Sequence, residues 1–343
     1  MLGFPYDLRV RLGEEVPAQG QIAVMRRIPM FDGPEVYNIT EQPQERKDSF
    51  KCAVFNMEHG CRNREIVPFL LENRDLCDAD ILFGNELDDG TERSGNFDSS
   101  KAIAEALGYN YAYALEFVEL VNPNDMKGYE GNTLFSKWPI IWAKSLYVPE
   151  EYNWYFDEQV RIGGRVAVYA EIDINGKHVG AVCIHLENRT TPEGRGRQTE
   201  AILQKADEWF GNIPIVVGGD YNTNTFDGRR NDLAQIYLDE QVETGRKRDP
   251  EQYEPTFEIV EREGYHYRDF NGKYLETRRK PMGDTFVGMH LDWIFAKNTE
   301  CLGHGMVSTV LAECDWLPAD SVVRQYTGKQ LSDHNAVWAV CKL

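Results

Sequence analysis

The sequence predicts an α/β fold in which stacked β-sheets are flanked by helices. Short apolar runs bounded by turn residues recur along the chain, and several alternate apolar with polar or small residues. Amphipathic helical stretches interrupt them at irregular intervals. A purely parallel sheet would need regular strand–helix alternation, which the pattern lacks.

The strand candidates are Cys52–Phe55, Ile81–Gly84, Asn132–Phe135, Arg165–Ile174, Val179–His185, Ile213–Val217, Leu291–Ala296, Val307–Leu311 and Ala336–Cys341. Within Arg165–Ile174 the order Val166-Ala167-Val168-Tyr169-Ala170-Glu171-Ile172 has the period of a half-buried antiparallel strand. Helical spacing appears at Arg64–Asn73 and Ser99–Leu107. It is strongest at Arg197–Phe210, where Ala201, Ile202, Lys205 and Trp209 share a face, with residues 193–196 as its start. Residues 1–50, broken by Pro17, Pro29, Pro34 and Pro43, read as an irregular lead-in with one or two strands. Residues 51–343 form the main domain. Within it, 223–290 is polar, too long for a simple loop, and expected to elaborate the working face with one or two short helices.

Composition bounds the function. The chain has 343 residues and a formal net charge of −19, which disfavours a general duplex-binding protein through long-range repulsion. No run of about 18 apolar residues is present to span a membrane. The start lacks a basic segment followed by an apolar one. The seven cysteines are scattered, with neither zinc spacing nor a disulfide framework, so a reducing cytoplasm is the expected compartment. Acids concentrate between Glu72 and Asp98. Basic residues gather at Arg189/Arg195/Arg197, Arg229/Arg230, Arg246/Lys247/Arg248 and Arg278/Arg279/Lys280. Each basic cluster taken singly reads first as a solvated loop, with part of an anion-binding rim as the alternative.

The junction that carries most chemistry is Gly218-Gly219-Asp220-Tyr221-Asn222, reached directly from the apolar run Ile213–Val217. The glycines permit a tight turn and a close approach. Residues two apart in extended chain point the same way, so Asp220 and Asn222 are placed to face one target. A carboxylate that takes a proton from water beside an amide that binds an oxyanion suits phosphoester hydrolysis. Asp and Asn after Gly also make ordinary turns. Other strand ends repeat the theme: Asn56 and Glu58, Asn85 and Glu86, His185 and Glu187, and Asp333-His334-Asn335 before the last strand. Asp292 lies inside an apolar strand, where a carboxylate needs a partner. His334 is the natural one, since an Asp accepting from imidazole orients the ring.

Taken in this order, these motifs resemble the endonuclease/exonuclease/phosphatase superfamily of metal-dependent phosphohydrolases. The segment Gly131-Asn132-Thr133-Leu134-Phe135-Ser136-Lys137-Trp138-Pro139-Ile140 also looks like the family's strand-to-turn element. The resemblance implies a four-layer sandwich of two mixed, mostly antiparallel sheets flanked by helices. It implies metal-site roles for Asn56, Glu86 and Asp333, with Glu86 the principal carboxylate. Oxygen ligands and retained waters suit Mg²⁺, with Mn²⁺ as a substitute. Asp220 would place or deprotonate the attacking water, Asn222 and His185 would hold phosphate oxygens, and His334, held by Asp292, would bind phosphate or help activate the nucleophile. Glu58 stands where many relatives carry another residue, leaving it at the metal or just behind it. Tyr129 and Tyr169 are candidates, by neighbourhood only, for a tyrosine near the phosphate.

The expected activity is therefore Mg²⁺-dependent hydrolysis of a phosphomonoester or phosphodiester of a small or lipid-like molecule. Arg189, Arg195 and Arg197 are candidate substrate contacts. The alternative is a nuclease of the same superfamily, with a local basic groove overcoming the net charge. A non-catalytic binding protein on this scaffold is a third reading, disfavoured because every catalytic position is filled.

Overall fold

Two sheets pack face to face, and each carries helices on its outer side. The computed structural model describes residues 3–40, 47–229, 249–282 and 285–343. Among these, the first sheet contains β1 (Glu35–Tyr37), β2 (Ser49–Asn56), β3 (Ile81–Asp89), β4 (Asn110–Glu119) and β5 (Tyr129–Ser136). It is completed by β7 (Arg161–Gly163), β14 (Cys301–Val307) and β15 (Ala336–Lys342). The second holds β6 (Ile140–Tyr147), β8 (Val166–Ile174), β9 (Lys177–His185), β10 (Ile215–Asp220) and β13 (Asp292–Lys297). A separate hairpin pairs β11 (Arg278–Met282) with β12 (Thr285–Met289).

The strand orders are β1-β4-β5-β3-β2-β15-β14, with β7 beside β4, and β13-β10-β9-β8-β6. The pairs β2/β3 and β9/β10 are parallel and the rest antiparallel, which is the mixed, mostly antiparallel architecture expected. Phe83, Trp138, Val168, Val216 and Ile294 belong to the core between the sheets. Helices Asn63–Glu72 and Ser99–Leu107 cover the first sheet through Ile66, Phe69 and Ile103. Helices Pro192–Phe210 and Pro255–Arg262 cover the second through Ile202, Leu203 and Phe257. Local chemistry starts the long helix: the Thr191 hydroxyl accepts from the Gly194 N–H, and Pro192 takes the first turn.

Strand β10 shows why the site sits where it does. It is an interior strand, between β13 and β9, and buried on both faces, so it reads as a continuous apolar run. A Cβ at Gly218 would overlap the Phe83 ring of the opposite sheet, and one at Gly219 would strike the Ile184 carbonyl. Gly219 also has φ of +153°. The two glycines let the sheets close around the strand that delivers Asp220.

Several expectations are corrected. Among its described residues the lead-in forms three short helices, Tyr6–Glu14, Val16–Gln19 and Gln21–Met25, a 3-10 turn at Pro29–Phe31, and the strand β1. Leu12, Val16 and Val24 pack with Leu115, Val118 and Ile162 at the β4/β7 edge, and the buried Arg9 guanidinium donates to the carbonyls of Asp125 and Lys127. The strand placed at Val307–Leu311 runs instead over Cys301–Val307, and Leu311–Glu313 is a 3-10 turn. As an edge strand with two glycines and half-exposed side chains, β14 lacks the expected alternation. Strands β4 and β6 carry no such signal either: β6 is a half-exposed edge, and β4 hides two glutamates among its buried residues. The segment 223–290 divides. Its helix covers the outer face of the second sheet, its hairpin abuts the strand ends, and 230–248, with Arg230 and Arg246/Lys247/Arg248, lies outside the described residues. No helix among the described residues is long and apolar enough to cross a membrane, and all seven cysteines are free thiols.

Candidate active site

The ends of β2, β3, β9, β10 and the turn before β15 meet at one end of the sandwich around a cleft of about 590 Å³. Backbone strain accompanies the convergence. Glu58, His59, Glu86 and Asn222 line the cleft with φ of +47°, +63°, +53° and +47°. Non-glycine residues adopt this region at a cost of about 1–3 kcal/mol each, which packing elsewhere must sustain. In β3 the register shifts between Gly84 and Leu87, a bulge that turns Glu86 into the cleft.

Asp220 is the hub. Its Oδ1 accepts from the Asn222 N–H at 2.8 Å, and its Oδ2 accepts from the Asn56 amide at 3.1 Å. The same Oδ2 lies 3.7 Å from Nε2 of both His185 and His334. Each imidazole is backed by a buried carboxylate: His334 Nδ1 meets Asp292 Oδ2 at 2.8 Å, and His185 Nδ1 lies 3.3 Å from Glu116 Oε2. Arg165 donates to Glu116 Oε1 at 3.0 Å and lies against both ring nitrogens of His185, at 2.9 and 3.1 Å. Asp220 is thus flanked by two carboxylate–imidazole dyads.

These contacts set the charge states. Burial opposes a charged His334, but Asp292, Asp333 and Asp220 outweigh it and raise the imidazole pKa to about 10. Burial and Arg165 likewise oppose a charged His185, while Glu116 and Asp220 carry its pKa above the ordinary value. Burial works against the Glu86 carboxylate, yet the His59 and His185 rings hold its pKa below the usual range. For Asp333, Arg278 and then His334 overcome burial and hold the carboxyl at about 2.

The donor set fits a hard divalent cation. Glu86, Asp220 and His185 each bring one ligand atom to within 4.8 Å of the others, and Asp333 faces Glu86 closely enough to repel it. Asn56 sits directly against the Glu86 and Asp220 carboxylates. Its Oδ1 accepts from the Glu58 N–H, and its amide donates to Glu86 Oε1 and Asp220 Oδ2, so it holds the carboxylates in place. Glu58 lines the cleft but is paired with Arg62 and accepts from the Asp333 N–H, behind the other acids. Asn222 donates one amide hydrogen to the Leu186 carbonyl and lines the cleft.

Of the three candidate substrate arginines, only Arg189 lines the cleft. Arg195 is fully buried, donating to both oxygens of Glu254 at 3.0 and 2.6 Å and to the Thr190 and Phe226 carbonyls. It is a structural tie. Arg197 is exposed and clamped by Glu151. Tyr129 and Tyr169 are also buried away from the cleft, Tyr129 among the packed lead-in residues and Tyr169 with its hydroxyl donating to the Ile202 carbonyl. The sequence reading missed Glu116, Arg165, His59 and Glu130. Arg165 had been placed only as the start of a strand, and Glu116 meets its partners only through the fold.

His290 lies just before Asp292 but serves packing. Its ring stacks on Trp293 with centroids 3.5 Å apart, and its Nε2 has no hydrogen-bond partner among the described residues. Burial pushes its pKa down to about 3. As pH falls below about 6.5 the unfolded chain binds a proton that the folded chain refuses, so stability is lost toward acid by about 1.4 kcal/mol per pH unit from this residue. Urea unfolding between pH 7 and 5 is expected to show a flatter acid loss for His290→Gln than for the parent. An identical slope would refute this role.

The solved structures that resemble this one share its fold. An endonuclease/exonuclease/phosphatase from Beutenbergia cavernae aligns with a TM-score of 0.56 at 15% identity, covering 87% of this chain and 72% of that one. A family protein from Bacteroides thetaiotaomicron aligns at 0.53 and 16% identity, covering 85% and 94%. A beta toxin from Staphylococcus aureus aligns at 0.50 and 17% identity, covering 84% and 99%. No curated protein sequence matches the chain at a significant level. The sequence profile of the Endonuclease/Exonuclease/phosphatase family matches residues 53–334, which include every strand end at the cleft. The chain belongs to the endonuclease/exonuclease/phosphatase family, a superfamily of metal-dependent phosphoesterases and nucleases.

Proposed function

We propose that the chain is a Mg²⁺-dependent phosphoesterase acting on a small or lipid-like phosphoester. The observation that carries this reading is Asp220, held between two carboxylate-backed imidazoles beside the Glu86 and Asp333 carboxylates. A metal bound by Glu86, with Asp333 and Asn56 completing its oxygen shell, would supply Lewis-acid stabilisation of the phosphoryl group.

The chain's own groups do the rest. Asp220 orients the attacking water and takes its proton at Oδ2, the oxygen that lies between the two imidazoles. His334, held charged by three carboxylates, donates to a non-bridging phosphate oxygen as charge develops. His185 and the second amide hydrogen of Asn222 complete the donor set. Glu116 and Asp292 keep each ring oriented, and Asn56 fixes the angle between Glu86 and Asp220. Water attacks phosphorus directly, and no covalent enzyme intermediate is needed.

A compact cleft on a chain of net charge −19 favours a small substrate over an extended polyanion. The test is a panel of nucleotides, inositol phosphates, phospholipids and oligonucleotides, with Mg²⁺ or Mn²⁺ and with chelator. Metal-dependent release from a small or lipid phosphoester is expected. Degradation of oligonucleotides alone would favour the nuclease reading, and no release from any ester by folded protein would refute hydrolysis.

A further inference from the structure

Strand alternation divides the basic triple at 278–280. Arg278 and Lys280, two residues apart, both line the cleft, whereas Arg279 turns away to pair with Glu276 and Glu313. The hairpin is fixed in this register by its docking on the catalytic turn: Arg278 bridges to His334, and the Arg279 N–H donates to the Asp333 carbonyl at 2.7 Å. Arg278 is committed to Asp333, with Nε and a terminal nitrogen each 3.0 Å from Oδ2. Lys280 lies about 7 Å farther along the strand, beyond the reacting centre. Its side chain reaches solvent at the rim and makes no hydrogen bond or ion pair among the described residues.

Arg189 reaches the same part of the cleft from the loop after β9. It pairs with Asp157 at 3.6 Å, a carboxylate that also accepts from the Tyr152 hydroxyl and the Gln159 N–H. Partial burial and then Arg278 lower the Lys280 pKa, Asp333 opposes them, and Arg189 adds a smaller lowering. Arg278 is matched by Asp333 and Arg189 is held loosely by Asp157, which leaves the Lys280 ammonium as the cation of this group without an ion pair among the described residues. The scissile phosphate, held by the imidazoles and Asn222, does not account for that ammonium.

We propose that Arg189 and Lys280 form a second anion subsite, so that the preferred substrate is a phosphoester carrying a second phosphate or carboxylate one to two residue lengths from the scissile group. This rests on the phosphoesterase reading for the scissile end only. The shared chemistry, a second anion, has two sources: a small bisphosphate, or the neighbouring phosphate of a short oligonucleotide.

The test compares propane-1,3-diol bisphosphate, propyl phosphate and a 5′-phosphorylated thymidine dinucleotide, each by turnover with Mg²⁺ and by titration calorimetry. The expected result is binding of a doubly anionic probe about tenfold tighter than propyl phosphate, with that preference shrinking to about twofold in Lys280→Gln and Arg189→Gln. Lys280→Arg should keep it. Whichever doubly anionic probe is preferred identifies the source. Equal affinities for all three, or a preference that survives both neutral variants, would overturn the subsite. Preferential binding without turnover would support the subsite while overturning the phosphoesterase reading, so the two failures are distinguishable. Thermal melting checks that each variant is folded.

Discussion

Asp220→Asn is expected to lower kcat by about 10³-fold with little change in KM, since positioned acid–base groups typically contribute 10²–10⁴-fold. The substitution preserves shape. An amide can still accept from the Asn222 N–H, so the β10 turn and its strained Asn222 stay in place. What it loses is the proton acceptor at Oδ2, 3.7 Å from both imidazoles. The two rings, each carrying its own carboxylate, remain as phosphate donors, so substrate still binds. Steady-state kinetics on the best ester of the panel decides it. A loss below about tenfold would remove Asp220 as the principal proton acceptor.

Arg195→Ala is expected to destabilise the chain by about 3–5 kcal/mol, because it strands a buried Glu254 carboxylate. The guanidinium also ties the Thr190 and Phe226 carbonyls to the helix that Glu254 precedes. Glu254 in turn accepts from the Thr225 N–H, next to the strained Asn222 turn. Removing Arg195 therefore loosens the loop that carries Asn222, and activity should fall with stability. Urea unfolding measures the first effect. The paired change Arg195→Met with Glu254→Gln should recover much of it, since neutralising both partners avoids the stranded charge. A loss under 1 kcal/mol in Arg195→Ala would contradict the assignment.

These two residues show what the sequence could and could not reveal. Asp220 was legible because the signal is local: a buried run, two glycines, then an acid and an amide at strand spacing. Asp292 was legible for a physical reason, since a carboxylate inside an apolar strand demands a partner and His334 was available. Arg195 misled because its neighbourhood is basic and loop-like, while its partner lies 59 residues away. Glu116 was hidden for the opposite reason. In β4, Glu116 and Glu119 interrupt the apolar pattern, and the pairings of Glu116 with Arg165 and His185 and of Glu119 with Arg93 and Arg161 make them compatible with burial. The second dyad is therefore a tertiary fact. Within Arg278-Arg279-Lys280, composition marked a cluster, and only the strand register separates the two side chains in the cleft from the one outside it.

The most direct test of the central claim is hydrolysis of the best panel substrate in ¹⁸O-labelled water with Mg²⁺ present. Attack of an Asp220-positioned water on phosphorus predicts one labelled oxygen in the phosphoryl product, release abolished by chelation and restored by added metal, and about 10³-fold slower labelling in Asp220→Asn. Label appearing in the alcohol product, or release that persists in chelator, would contradict it.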